Sequence, residues 1–325
     1  MRRVALFGLA FAGFLMTASG LLPAHADEWP AKTVRIVTSF PPGTGGDITA
    51  RVFADSLAKR WGKAVIVENR PGADGAIAVS ALLNANDEHT LLFTNGGPVT
   101  SNQLDPNKQL SYDPSRDLVP ISSAADVFVA IAAPASLNVD SLEAFVRLAR
   151  SQPGKFNWGG TPGALDYVMP QFFKNNGVDL AHVSYRDVAP AMQDIAQARL
   201  QLYAAAVATQ LPMVQSGAVR VLAVTNRERT PLLPDAPTAV ETGFPELGHD
   251  AFLGFFGPRG MRVELQDRIG ADIRATGAEP TISERLARNG LIVRTNTPAE
   301  FSKIIELERV RLAQIARRLE RKTEK

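Results

Sequence analysis

The chain has 325 residues, with 35 Lys or Arg, 33 Asp or Glu and no Cys. The absence of Cys excludes disulfides, thiol nucleophiles and thiolate metal sites, and the near-balanced charge with no Lys/Arg-dense patch argues against nucleic acid as a partner. The length suits two domains of ordinary size, each able to bury a core of its own.

The first element is a targeting segment. Met1-Arg2-Arg3 is basic, residues 4–22 are almost wholly apolar, and Ala24-His25-Ala26 is a small-x-small cleavage signal. That three-part layout is a secretory signal peptide over residues 1–26. Cleavage after Ala26 leaves 299 residues, with Arg2 and Arg3 gone and 33 bases against 33 acids. Left uncleaved, the segment would be a single membrane anchor. No Cys follows it to carry a lipid, and no second run of eighteen apolar residues follows to form another spanning helix.

Residues 34–37 (Val-Arg-Ile-Val) read as a strand. After them comes Phe40-Pro41-Pro42-Gly43-Thr44-Gly45-Gly46-Asp47, then a helix over 48–60 with Ile48, Val52, Phe53 and Leu57 as its apolar stripe and Asp47 as its N-cap. Residues 65–67 are a second strand, ended by Asn69-Arg70-Pro71-Gly72. A helix over 77–84 and a strand over 90–94 follow, the latter stopped by Asn95-Gly96-Gly97-Pro98. Strands alternating with helices predict an α/β fold with mainly parallel sheets.

Residues 102–120 read as a looser stretch, rich in Pro, Asp and Asn. A strand over 127–132 and a helix over 140–149 come next, with Asp140 as cap and Glu143 closing a capping box. Pro170 is expected to delay or kink any helix beginning near Ala164. Residues 187–198 read as helix, 200–203 as strand and 219–224 as strand. The run 230–245 holds four prolines and reads as an irregular crossing, and helices return over 263–276, 282–289 and from 298 onward. The expected arrangement is a discontinuous first lobe, 27–125 plus 250–325, and a second lobe, 126–249, joined by two crossings as in a hinged binding protein.

The chemistry concentrates in the 40–47 loop. Between a strand and a helix, Gly43, Gly45 and Gly46 let backbone N–H groups approach an anion, a placement worth roughly 0.3–1 kcal/mol at an exposed helix end and up to ~2 kcal/mol when partly buried. A tight turn without a ligand satisfies the same residues. Thr44 is equally a solute contact or a turn stabiliser. An enzyme reading finds little support. There is no Gly-x-Ser-x-Gly elbow, the loop does not match Gly-x-Gly-x-x-Gly, and His89, His182 and His249 lack metal-ligand spacing. The nearest catalytic alternative is a lyase or hydrolase pairing His182 with Asp166 or Asp187. An adaptor or sensor protein with a modified or vestigial cleft is the other rival.

Taken together, the motifs resemble the extracytoplasmic solute receptors (Bug receptors) of tripartite tricarboxylate transporters. The landmarks are Val34-Arg35-Ile36-Val37 with Phe40-Pro41-Pro42-Gly43, Asp47, Ala50-Arg51, Val67-Glu68-Asn69-Arg70-Pro71-Gly72-Ala73, Ser111-Tyr112-Asp113-Pro114, His182-Val183-Ser184-Tyr185-Arg186, Leu233-Pro234-Asp235-Ala236-Pro237-Thr238 and Glu241-Thr242-Gly243. The resemblance implies a two-lobed type II periplasmic binding protein. It would be a monomeric receptor in the periplasm without a cofactor, holding a small organic carboxylate or amino-acid-like solute for a membrane permease. It also implies first-lobe contacts from Phe40, Pro41, Gly43, Thr44, Gly45 and Gly46, with Asp47 as a helix cap beside them. Second-lobe contacts would come from Thr161, Gly163 and Ala164, with Arg186 and Asp187 near. The second-lobe loop departs from the family pattern: it is about one residue shorter, and the usual hydroxyl and His give way to Gly163-Ala164 and Asp166-Tyr167, leaving Thr161 to supply a hydroxyl. Asp187 stands where Gly is usual, and its simplest role is to cap the helix that follows.

Overall fold

The computed structural model describes residues 29–185 and 188–320. The expected signal peptide, Arg186 and Asp187 lie outside the described residues. The chain begins in one sheet with β1 (Val34–Thr38), α1 (Gly45–Trp61), β2 (Val65–Asn69), α2 (Ala76–Ala85), β3 (Thr90–Asn95), a short α3 (Pro114–Asp117) and β4 (Leu118–Val127). It crosses at Phe128 into a second sheet with β5 (Val129–Pro134), α4 (Leu142–Ser151), β6 (Phe156–Gly160), α5 (Leu165–Asn175), β7 (Leu180–His182), α6 (Val188–Ala196), β8 (Leu202–Ala206), α7 (Val207–Gln215) and β9 (Val219–Val224). It returns past His249 and finishes with β10 (Ala251–Pro258), α8 (Val263–Gly277), α9 (Pro280–Ala287), β11 (Leu291–Val293) and α10 (Pro298–Glu320).

The strand orders are β11-β4-β10-β3-β1-β2 and β7-β6-β8-β5-β9. β1 pairs in parallel with β2 and β3, and β6 does the same with β7 and β8. The strands next to the crossings pair antiparallel: β10 with β3 and β4, and β5 with β8 and β9. This is the expected two-lobed α/β fold, with the same strand plan used twice. The loops leaving β1 and β6 therefore occupy equivalent places, at the carboxyl ends of parallel strands where open α/β sheets take their ligands.

Each sheet buries its own core. Val34 and Ile36 of β1 meet Phe53 and Leu57 of α1 in the first, while Phe145, Trp158, Phe172 and Leu202 pack together in the second. α10 serves both: Phe301 and Ile305 pack in the first lobe, and Leu312 and Ile315 in the core of the second. Asn226, 2% exposed, fastens the crossing at Phe128. Its Nδ2 donates to the Val127 carbonyl at 3.1 Å and its Oδ1 accepts from the Val129 N–H at 3.1 Å.

Several local expectations change. Residues 127–132 are not one strand, because the chain changes sheets at Phe128. The cap of α4 is Ser141, whose hydroxyl accepts from the Ala144 N–H at 3.2 Å, and not Asp140. Pro170 sits inside α5 without ending it. The irregular 230–245 run stays with the second lobe, where Leu232, Leu233 and Ala236 cover Phe128, Ala130 and Val207.

Candidate functional site

The loop after β1 is held by its own side chains. Thr44 is the N-cap of α1: its hydroxyl donates to the Pro41 carbonyl at 2.8 Å and accepts a long 3.5 Å bond from the Asp47 N–H. The expected cap, Asp47, lies at the third helical position instead, because the helix begins three residues earlier than its apolar stripe indicates. Its carboxylate still serves the helix end, accepting from the Gly43 N–H at 2.9 Å. Arg51 Nε donates to both of its oxygens at 3.1 Å, and Asn69 Nδ2 donates to Oδ1 at 2.6 Å and to the Phe40 carbonyl at 2.9 Å. Burial, the largest single influence, pushes the Asp47 carboxyl up. The bonds from Arg51, Asn69 and Gly43 and the Arg51 charge outweigh it and hold the carboxyl below the usual range.

The glycines have distinct reasons. Gly43 takes φ 79°, open to it without a Cβ penalty. At Gly46 a Cβ would stand 2.3 Å from the Phe40 ring. With Gly43 and Asp47 already paired, the N–H groups of Gly45 and Gly46 have no acceptor among the described residues.

The loop after β6 repeats the arrangement with fewer ties. Gly163, at φ 126°, donates its N–H to Asp166 Oδ2 at 2.9 Å, as Gly43 does to Asp47. The N–H groups of Ala164 and Leu165 are again without an acceptor among the described residues, as is the Thr161 hydroxyl; the Thr161 N–H goes to the Ala204 carbonyl at 3.0 Å. Asp166 has no ion pair among the described residues. Burial raises its carboxyl above the usual value, and the Gly163 N–H with the charges of His182 and Lys108 offsets this only in part.

The two loops face one cavity of about 690 Å³ between the lobes. Of the residues expected in the site, Phe40, Gly43, Thr44, Gly45, Gly46, Thr161, Gly163 and Ala164 line it. Pro41 does not; its carbonyl instead anchors Thr44. Trp158 packs in the core against Phe173 and His182, away from the cavity. Of the three phenylalanines near the returning crossing, Phe252 lines the cavity and Phe255 and Phe256 are core.

Other wall residues were not singled out from the sequence as site residues. Asn95 ends β3 and Gly96 and Gly97 follow it, and His249, Ala251 and Leu253, with Val127 and Val129, come from the crossings and the strands beside them. Arg288 to Leu291 come from the turn before β11. The Asn-Gly-Gly-Pro turn at the end of a parallel strand was the available signal for the first group. The others depend on which strands the crossings place side by side. A larger groove, about 1210 Å³, opens on the far side of the 161–164 loop. It includes neither Gly45 nor Gly46, and its Lys108 is already paired with Asp74 at 2.7 Å.

The family profile described as tripartite tricarboxylate transporter family receptor matches residues 49–320. The chain belongs to that family. It is a receptor of the solute-binding kind and not an enzyme. BugT of Bordetella pertussis is 27% identical over 319 residues, covering 97% of both chains. A protein in the tcbD-tcbE intergenic region of Pseudomonas sp. (strain P51) is 29% identical over 311 residues, covering 94% of this chain and 91% of its own. Among solved structures, R. palustris Rpa4515 with adipate superposes with a TM-score of 0.78 at 26% identity, covering 89% of this chain and 97% of that one. The periplasmic binding protein BugD gives 0.73 at 26% identity, covering 89% and 98%.

Proposed function

We propose that this receptor, exported to the periplasm with its leader removed after Ala26, captures a small organic acid between its lobes and hands it to a membrane permease. The observation that carries the reading is the pair of equivalent loops, each ending in a helix with two unaccepted N–H groups, on opposite sides of one cavity. One carboxylate placed there meets Gly45 and Gly46 from the first lobe and Ala164 and Leu165 from the second, with the Thr161 hydroxyl beside it. Lobe closure removes water and strengthens those bonds. Part of the remaining wall, Val127, Val129, Leu211, Leu232, Leu253 and Leu291, is apolar. It suits a solute with a hydrocarbon or ring portion, and a linear dicarboxylate such as the adipate held by the R. palustris relative fits that description. The cavity is within the usual small-ligand range of roughly 300–1,000 Å³. Micromolar affinity requires about −8 kcal/mol, more than a helix end supplies, so apolar burial and several hydrogen bonds act together. The lobe division, moved from 125/126 to Phe128 because β4 keeps Asp126 and Val127 in the first sheet, and set at 249/250 on the return, is part of the same proposal, with the protein working as a monomer.

The test is a refolded, ligand-stripped protein screened by thermal shift against mono-, di- and tricarboxylates, aromatic acids and amino acids, with calorimetry on each hit. Saturable one-to-one binding of an organic acid is expected. A folded, stripped protein that binds none of the panel contradicts the reading.

A further inference from the structure

Beyond the two loops, the cavity wall carries a partly buried acid–imidazole pair. His249, on the returning crossing, and Glu308, on α10, both line the cavity, and His249 Nδ1 lies 2.9 Å from Glu308 Oε1. Their side chains are only 11% and 17% exposed. The backbone fixes the ring's position: the His249 N–H donates to the Thr225 carbonyl at 2.8 Å, and the Thr225 hydroxyl donates to the His249 carbonyl at 3.0 Å. With Nδ1 committed to Glu308, Nε2 is the ring's remaining polar atom. It has no protein partner among the described residues, and it is not among the buried polar atoms sealed from solvent.

Resting on the receptor reading above, we propose that His249 is a solute-binding residue for a second anionic group. Its Nε2–H is donated to the far carboxylate of a dicarboxylate, and the imidazole takes a proton from solvent as the solute enters. Glu308 is a positioning residue, fixing the ring and balancing the imidazolium. Its carboxyl is ionised at neutral pH: burial pushes it up, but the contacts with His249 and Arg311 outweigh that and hold it below the usual range. The other charges facing the pair are Arg311, 3.5 Å from Glu308, Asp250, which is paired with Arg227 at 3.5 Å, and Arg288 on the cavity wall. A bound anion at Nε2 favours the charged form of the ring, so capture is coupled to protonation.

The probe is adipate, titrated calorimetrically into the stripped receptor at pH 7.5 in two buffers of different ionisation enthalpy, and again at pH 6.5 and 8.5. Expected results are net proton uptake on binding and affinity that falls as pH rises. His249→Gln is expected to bind adipate more weakly, without proton uptake and with a flat pH profile. Adipate binding without proton uptake by the wild-type protein overturns the inference and leaves the receptor reading intact. A receptor that binds no acid in the wider panel overturns both. If His249→Gln does not fold, the wild-type proton count alone decides.

Discussion

The loops after β1 and β6 hold equivalent places in the two lobes, yet they differ in how their acids are supported. Both carry a glycine with positive φ whose N–H is accepted by an aspartate in the first turn of the next helix. In the first lobe Arg51 and Asn69 also grip that aspartate, and Asn69 reaches on to the Phe40 carbonyl, so strand end, loop and helix form one charge-balanced unit. In the second lobe Asp166 has the glycine N–H and, among the described residues, the charges of His182 and Lys108 without an ion pair, and burial leaves its carboxyl raised. The first loop is a fixed cradle. The second is a lip whose charge depends on its surroundings, and it is also where the sequence leaves the family pattern.

The largest expected difference is in stability. Asp47→Ala strands the Asn69 amide, the Gly43 N–H and Arg51. It is expected to cost about 2–3 kcal/mol, discounted because the Arg51 side chain is half exposed. Asp166→Ala is expected to cost about 1 kcal/mol at pH 7, the loss of one N–H acceptor. Urea denaturation of both variants checks this, and equal losses would remove the distinction. Next is the fit of the glycines. Gly46→Ala drives a Cβ into the Phe40 ring and is expected to weaken solute binding by about tenfold or more, since a displaced ring moves the whole first loop. At Gly163 the nearest atom to a Cβ is Ser101 Oγ at 3.7 Å, so Gly163→Ala meets backbone strain of about 1–2 kcal/mol and no clash. Calorimetry beside melting curves separates the two effects.

The pH dependence is smaller and opposite in sign. Asp47 is held below the ordinary aspartate value of 3.8, so its stabilisation is complete above that pH and is lost on acidification through the folded-state titration. Asp166 is raised above 3.8, so its contribution is complete below that pH and is lost as pH rises through the folded-state titration. Asp47→Asn should therefore flatten the acid limb of the stability profile, and Asp166→Asn the decline on the alkaline side of the ordinary carboxyl value. Matching profiles for the two variants would contradict the assignment. Smallest is Thr161→Val, expected to change stability by less than about 0.5 kcal/mol, because the hydroxyl has no partner among the described residues, while reducing affinity by a few-fold. An unchanged affinity would remove Thr161 from the solute site.

The first lobe was the more legible in sequence. Its strands carry β-branched runs and its turns carry Gly and Pro, and Asp47, Arg51 and Asn69 stood out as landmarks before their hydrogen bonds were seen. Asp47 could not be distinguished from the true cap, because Thr44 and Asp47 both suit a helix start and the stripe beginning at Ile48 conceals the turn supplied by Gly45 and Gly46. The crossing at Phe128 was hidden for a different reason. Val127 to Ala132 is an unbroken apolar run, and only the pairing of Val127 with Ala251 in one sheet and Val129 with Ala206 in the other reveals the change. The hinge-side wall of the cavity, His249 included, depends on that pairing and leaves no periodic trace. The alanine-rich residues 203–207 are mostly buried in and beside β8, and Ala206 alone of them reaches the cavity.

The central claim is that backbone N–H groups from both loops converge on one solute. Amide hydrogen exchange of the stripped receptor, with and without a saturating acid from the panel, tests it most directly. The account predicts that Gly45 and Gly46 and, in the same titration, Ala164 and Leu165 become protected together. Protection confined to one loop, or found only along the groove beyond Asp166, would contradict it.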